Sequence, residues 1–88
     1  MKHYDNKELL FVRQEDVENA IGKPIWFKKD GVEYEGMIKN ALVNNWQALS
    51  LCPKSEIANP FVGILVQLRN GDNTRLNIGD KTIEYIEF

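Results

Sequence analysis

The chain is poor in the side chains that most often carry out chemistry. Its 88 residues hold one cysteine and one histidine. A lone Cys52 cannot form an internal disulfide, which points to a reduced, cytoplasmic setting. Histidine is the usual general base near neutral pH, but His3 sits two residues from the start of the sequence, where a catalytic group is hard to hold and fraying is expected. With no histidine elsewhere to activate it, Cys52 reads as a small buried hydrophobe and not as a nucleophile. One His and one Cys cannot assemble a zinc set. Asn70-Gly71-Asp72-Asn73 offers oxygen ligands but lacks the closing glutamate of a calcium loop, so it reads as a turn.

Glycine is equally uninformative for ligands. The six glycines stand apart from one another, and none forms a phosphate-cradling run. The longest apolar run is four residues, Leu9 to Val12, against the roughly 20 that a membrane helix requires. The opening Met-Lys-His-Tyr-Asp is polar and unlike a signal peptide. No metal, no cofactor and no membrane partner are therefore expected. Net charge is −2, with seven basic and eight acidic residues through Asn44 and four and five after it. This even balance gives neither a basic arm nor an acidic tail, which disfavours a nucleic-acid partner.

What the chain does have is enough apolar material for one domain spanning residues 1–88. It is 43% hydrophobic and 27% charged. Surface scaling for this mass leaves about 64% of the unfolded surface buried. Val17, Ala20 and Ile21 fall on one face of a helix over about 14–21, with Glu15 and Asp16 in its first turn and Gly22 and Pro24 ending it. Leu9 to Val12 is either a short strand or part of a first helix, and Asp5 with Glu8 three residues on imitates a capping box.

Beyond Gly22 the apolar period changes to two. Pro24 to Lys29 forms a strand with Ile25 and Phe27 on one face and Trp26 and Lys28 on the other. Asp30-Gly31 is a hairpin turn. Val32, Tyr34, Gly36 and Ile38 return along the inner face, and Glu33, Glu35, Met37 and Lys39 along the outer, with a bulge or bend expected at Gly36. A turn at Asn44-Asn45 leads into a strand over Trp46 to Cys52, followed by a long connection from Pro53 to Pro60. Phe61 to Arg69 is the clearest strand. Thr74 to Ile78 follows, with Leu76 and Ile78 inward. Lys81 to Phe88 closes the chain, with Ile83 and Tyr85 on one face and Ile86 and Phe88 on the other.

The fold class expected is α+β, mostly β: an N-terminal segment over 1–22 carrying the helix, then a strongly bent antiparallel sheet of five or six strands over 23–88. An SH3-like small barrel is the leading form, because closure removes exposed edges. An open sheet with the helix across one side is the alternative.

Function is read from the surface this implies. Trp26, Tyr34 and Trp46, with Lys28 and Lys29, are the candidate partner-binding residues of a non-enzymatic module that recognises another protein through an aromatic-bearing β surface. The alternative is a nucleic-acid-binding barrel using Lys23, Lys28, Lys29 and Trp26. Against it, Glu33 and Glu35 lie on the facing strand and neutralise the lysines. A homodimer through a strand edge or the tryptophan face suits a chain of this size.

The segment from Glu15 to Trp26, Glu-Asp-Val-Glu-Asn-Ala-Ile-Gly-Lys-Pro-Ile-Trp, resembles a pattern in small Firmicute phage and mobile-element proteins. There a short acidic helix runs into Gly-x-Pro-Val-Trp at the start of a β-domain. Leu76 to Phe88, with Gly79 and Tyr85, is similar to their closing strands, while the middle of this chain departs from the pattern. The resemblance implies a genomic setting and assigns no functional residue.

Overall fold

The computed structural model describes residues 1–43 and 61–88. The expected Asn44-Asn45 turn, the strand through Trp46 and Cys52 and the Pro53 to Pro60 connection lie outside them. Strand β1 (His3–Asp5) is followed by a single 3₁₀ turn (Leu9–Phe11) and helix α1 (Gln14–Glu18). Strands β2 (Pro24–Lys29), β3 (Val32–Val43), β4 (Phe61–Leu68), β5 (Asn73–Asn77) and β6 (Ile83–Glu87) complete the order. All six strands join one antiparallel sheet in the order β1-β6-β2-β3-β4-β5.

Strand β2 and its turn form as the two-residue period demands. Asp30 and Gly31 both take positive φ, 53° and 77°, which matches the turn to the right-handed twist of the flanking strands. Ile25 and Phe27 are buried, and Trp26 and Lys28 face the other way.

Strand β3 keeps the expected alternation as far as Ile38. The irregularity expected at Gly36 lies instead between Ile38 and Asn40, and it resets the phase so that Ala41 points inward. Gly36 has a different role. A Cβ there would lie 2.6 Å from the Gln67 carbonyl oxygen and 2.7 Å from a Val66 methyl, so glycine lets β3 and β4 approach closely. Gly36→Ala is expected to cost about 1–3 kcal/mol in urea unfolding, because backbone on the facing strand cannot move aside. An unchanged midpoint would refute that close approach.

The helix is shorter than its apolar spacing suggests. After Glu18 the backbone bonds tighten to a three-residue reach, Ala20 N–H to Val17 and Ile21 N–H to Glu18. The tighter turn carries Ile21 out to 47% exposure, while Val17 and Ala20 stay in the core. Gly22 and Lys23 then lace this segment to Ile38 of β3 through backbone bonds of 2.8 and 3.0 Å.

Leu9 to Val12 is neither strand nor full helix. Asp5 N–H donates to the Glu8 carboxylate at 3.2 Å and Glu8 N–H donates back to Asp5 at 3.0 Å, a reciprocal pair that closes the turn before Leu9. Leu9 and Val12 are buried, while Leu10 and Phe11 between them are 75% and 73% exposed.

The N-terminus is ordered, contrary to the expected fraying. Lys2 and Phe88 exchange backbone bonds of 2.9 and 3.1 Å, and β1 pairs along β6. Strand β6 also departs from simple alternation. Lys28 faces Tyr85 but Lys29 faces Ile83, so Glu84 is an extra, bulged residue. Ile83 and Ile86 therefore both enter the core, and Tyr85 turns to the outer face; the expected pairing of Ile83 with Tyr85 on one side does not hold.

One contiguous apolar cluster lies on the inner side of the sheet. Tyr4, Ile25, Phe27, Ile38, Ile64, Val66, Leu76, Ile83 and Ile86 supply its floor, and Leu9, Val12, Val17 and Ala20 cover it. Among the described residues no polar side chain is buried there. The closed barrel is not what forms. Among the described residues β1 and β5 end the sheet without pairing to each other. The physical reason is that the N-terminal segment covers the inner face, so the edges need not meet to exclude water from it.

Candidate functional site

Cross-strand register defines the outer face, because residues directly opposite one another share a side of the sheet. One row runs His3, Glu87, Trp26 and Glu35 across β1, β6, β2 and β3. The next runs Asp5, Tyr85, Lys28 and Glu33. Trp26 is half-buried at the centre of the first row, on a strand whose alternate residues anchor the core. It has a carboxylate-bearing neighbour on each side.

Each carboxylate has its own partner. His3 Nδ1 lies 2.8 Å from Glu87 Oε2, with the two side chains 52% and 37% exposed. Arg69, on the turn after β4, donates to Glu35 Oε1 at 3.3 Å and is itself 78% exposed. The Tyr85 hydroxyl donates to Glu33 at 3.0 Å, and its ring stacks on His3 at 5.0 Å. Burial raises the Tyr85 phenol above its ordinary value, helped by its bond to Glu33 and by the negative charge of Glu33, Glu87 and Glu84. The hydroxyl is thus held as a donor. Glu84 on the bulge accepts from Gly31 N–H at 3.0 Å and lies 3.9 Å from the Lys28 ammonium.

The residues singled out from sequence divide in the structure. Trp26 and Lys28 come together on the outer face. Tyr34 does not: it stacks on Phe27 at 5.0 Å and packs against the core, on the side of the sheet opposite Trp26. Lys29 sits in the inward register opposite Val32, at the end of β2, with its ammonium 3.3 Å from Asp80. Bonds from the Thr82 hydroxyl and backbone N–H, with Lys29 beside it, hold the Asp80 carboxyl below its ordinary range. Trp46 lies outside the described residues. Lys23 stands apart, at the lip of a groove of about 430 Å³ formed with Tyr4, Asp16, Ala20, Pro24 and Phe88.

His3, Tyr85 and Glu87 complete the face and escaped the sequence reading as site residues. The available signal was weak. Alternation in His3-Tyr4-Asp5 is too short to read as a strand, and the bulge at Glu84 hides the side on which Tyr85 emerges.

No three His, Cys, Asp or Glu side chains gather as a metal set among the described residues. No helix there is long and apolar enough to cross a membrane. The outer face presents one indole, one phenol, paired carboxylates and a lysine on adjoining strands. Comparison of the chain with protein-family models, curated proteins and solved structures finds no match.

Proposed function

We propose that this chain is a small, non-enzymatic accessory module that docks another protein on the outer face of its sheet. The observation that carries the reading is the position of Trp26, half-buried on the face opposite the core and flanked in register by Glu87 and Glu35. An aromatic anchor on a rigid strand offers large contact area at little entropic cost, which is why such residues dominate protein interfaces. The SH3-like part of the reading rests on strand order: β2 to β5 form a meander, β6 returns beside β2, and β1 extends that end. A cytoplasmic setting and a phage or mobile-element origin belong to the same proposal. The nucleic-acid alternative draws little from this face, since Lys28 is the one lysine in its central rows, opposite Glu33, and Lys29 sits in the inward register beside Asp80.

The test is affinity capture from a lysate of the source organism, with wild-type and Trp26→Ala baits run in parallel. A partner enriched by the wild type is expected to fall at least about fivefold with Trp26→Ala, matching the truncation cost of an interface anchor. The far-ultraviolet circular dichroism of the two baits should coincide. A partner captured equally by both, with the fold intact, would overturn the reading.

A further inference from the structure

We propose that the partner docked on this face is a basic protein segment, one of whose Arg or Lys side chains lies over the Trp26 indole between Glu35 and Glu87. The inference rests on the reading of the outer face as the docking surface, and it adds the chemistry of what docks.

Charge complementarity selects that chemistry. The two central rows hold four carboxylates, Asp5, Glu33, Glu35 and Glu87, against one lysine, Lys28. Glu84 adds a fifth carboxylate at the bulge. Two aromatic rings, Trp26 and Tyr85, occupy the middle of the same rows. A cation placed on an indole gains from its quadrupole and from any nearby negative charge. Burial first, and then Glu33, Glu87 and Glu84, raise the Tyr85 phenol, so the ring beside Trp26 stays neutral among these carboxylates.

Trp26 stands between the two glutamates, and no third metal-ligating side chain gathers with them among the described residues. Glu35 and Glu87 are on strands either side of β2, so their backbones stand about 10 Å apart, two interstrand spacings. That span, with the Trp26 indole in its middle, suits an extended segment laid across the strands. The same charges oppose a phosphate backbone, which requires a basic surface.

The side chains already paired with these carboxylates do not close the site. His3 and Arg69 stand at the two ends of the row and are 52% and 78% exposed. Exposed pairs of this kind are weak and are readily joined by an incoming cation.

Fluorescence anisotropy with labelled nine-residue probes at low ionic strength tests this. The probes are an alternating Arg-Gly peptide, a Glu-Gly peptide and oligothymidylate. The Arg-Gly peptide is expected to bind and the other two are not. Glu35→Gln with Glu87→Gln, which keeps shape and removes charge, should weaken it about 5- to 10-fold. Trp26→Leu, which keeps apolar bulk and removes the indole, should weaken it about 3- to 10-fold. Glu15→Gln with Glu18→Gln on α1 removes equal charge elsewhere and should change binding less than twofold.

Absence of Arg-Gly binding, equal loss in the α1 control, or preference for oligothymidylate would each overturn the inference. A native partner that depends on Trp26 but engages it through an acidic or neutral segment would also overturn it, and would leave the docking-face reading standing. A native partner indifferent to Trp26 would remove both.

Discussion

Phe27→Ala should lower the stability of this protein by about 3–5 kcal/mol. Phe27 is 2% exposed and sits in the middle of β2, directly opposite Tyr34 on β3 and Ile86 on β6. Its ring stacks on Tyr34 at 5.0 Å, so truncation removes an aromatic pair as well as apolar area. The hole would open between three strands whose backbones are tied by ladder hydrogen bonds, and such a frame collapses poorly around a cavity. An 88-residue chain has about 4–13 kcal/mol of total stability at ordinary values per residue. The substitution therefore removes a large share of it. Urea unfolding should show a much lower midpoint with an unchanged slope, the mark of lost stability without a changed unfolded state. A loss under about 1 kcal/mol would mean that Phe27 is not the centre of the core.

What could be read from the sequence, and what could not, divides along one physical line. Periodicity and turn chemistry are local, and where they act alone they are legible. Pro24–Lys29 forms the strand that its alternation predicts, and Asp30-Gly31 forms its turn. Trp26 and Lys28 share a face, with Glu33 and Glu35 opposite them, for the same reason. Features set by pairing between distant segments are not legible. Strand β1 exists because β6 offers it an edge, and three residues carry too little pattern to reveal it. A bulged residue changes the phase of a strand without leaving a mark in composition. The phase shift after Ile38 places Ala41, and the bulge at Glu84 places Tyr85. The candidate site shows both cases at once. Its β2 and β3 half was visible as a hairpin face, whereas its β6 and β1 half, Glu87, Tyr85 and His3, depended on contacts between the two ends of the sequence. Tyr34 failed as a surface residue because alternation put it on the inner face from the start. Its aromatic character suggested an interface, but its register opposite Phe27 decided its place.

Removing residues 1–22 should convert this protein from a folded chain to an unfolded or aggregated one, although it deletes only β1 from the edge of the sheet. The segment supplies Tyr4 to the inner face of the sheet and Leu9, Val12, Val17 and Ala20 as the cover over it. Without it, Ile25, Phe27, Ile38, Ile64, Val66, Leu76, Ile83 and Ile86 would line one contiguous apolar surface open to water. Burial of each large aliphatic side chain stabilises by about 1.5–3 kcal/mol, so losing this cover and exposing the eight apolar residues beneath it removes stability on the scale of a small domain's total. Deleting β1 alone would remove Tyr4 and unpair one edge but leave Leu9, Val12, Val17 and Ala20 in place, and would cost less. The point-mutant version is Leu9→Ala, expected to cost about 2–5 kcal/mol because Leu9 is 1% exposed beneath the 3₁₀ turn. Leu10→Ala, next to it but 75% exposed, should change stability by less than about 0.5 kcal/mol. That contrast separates a covering segment from a passive extension. If residues 23–88 alone gave a soluble chain with a cooperative transition, the sheet would be closing on itself, and the architecture would be a barrel in which the N-terminal segment is dispensable.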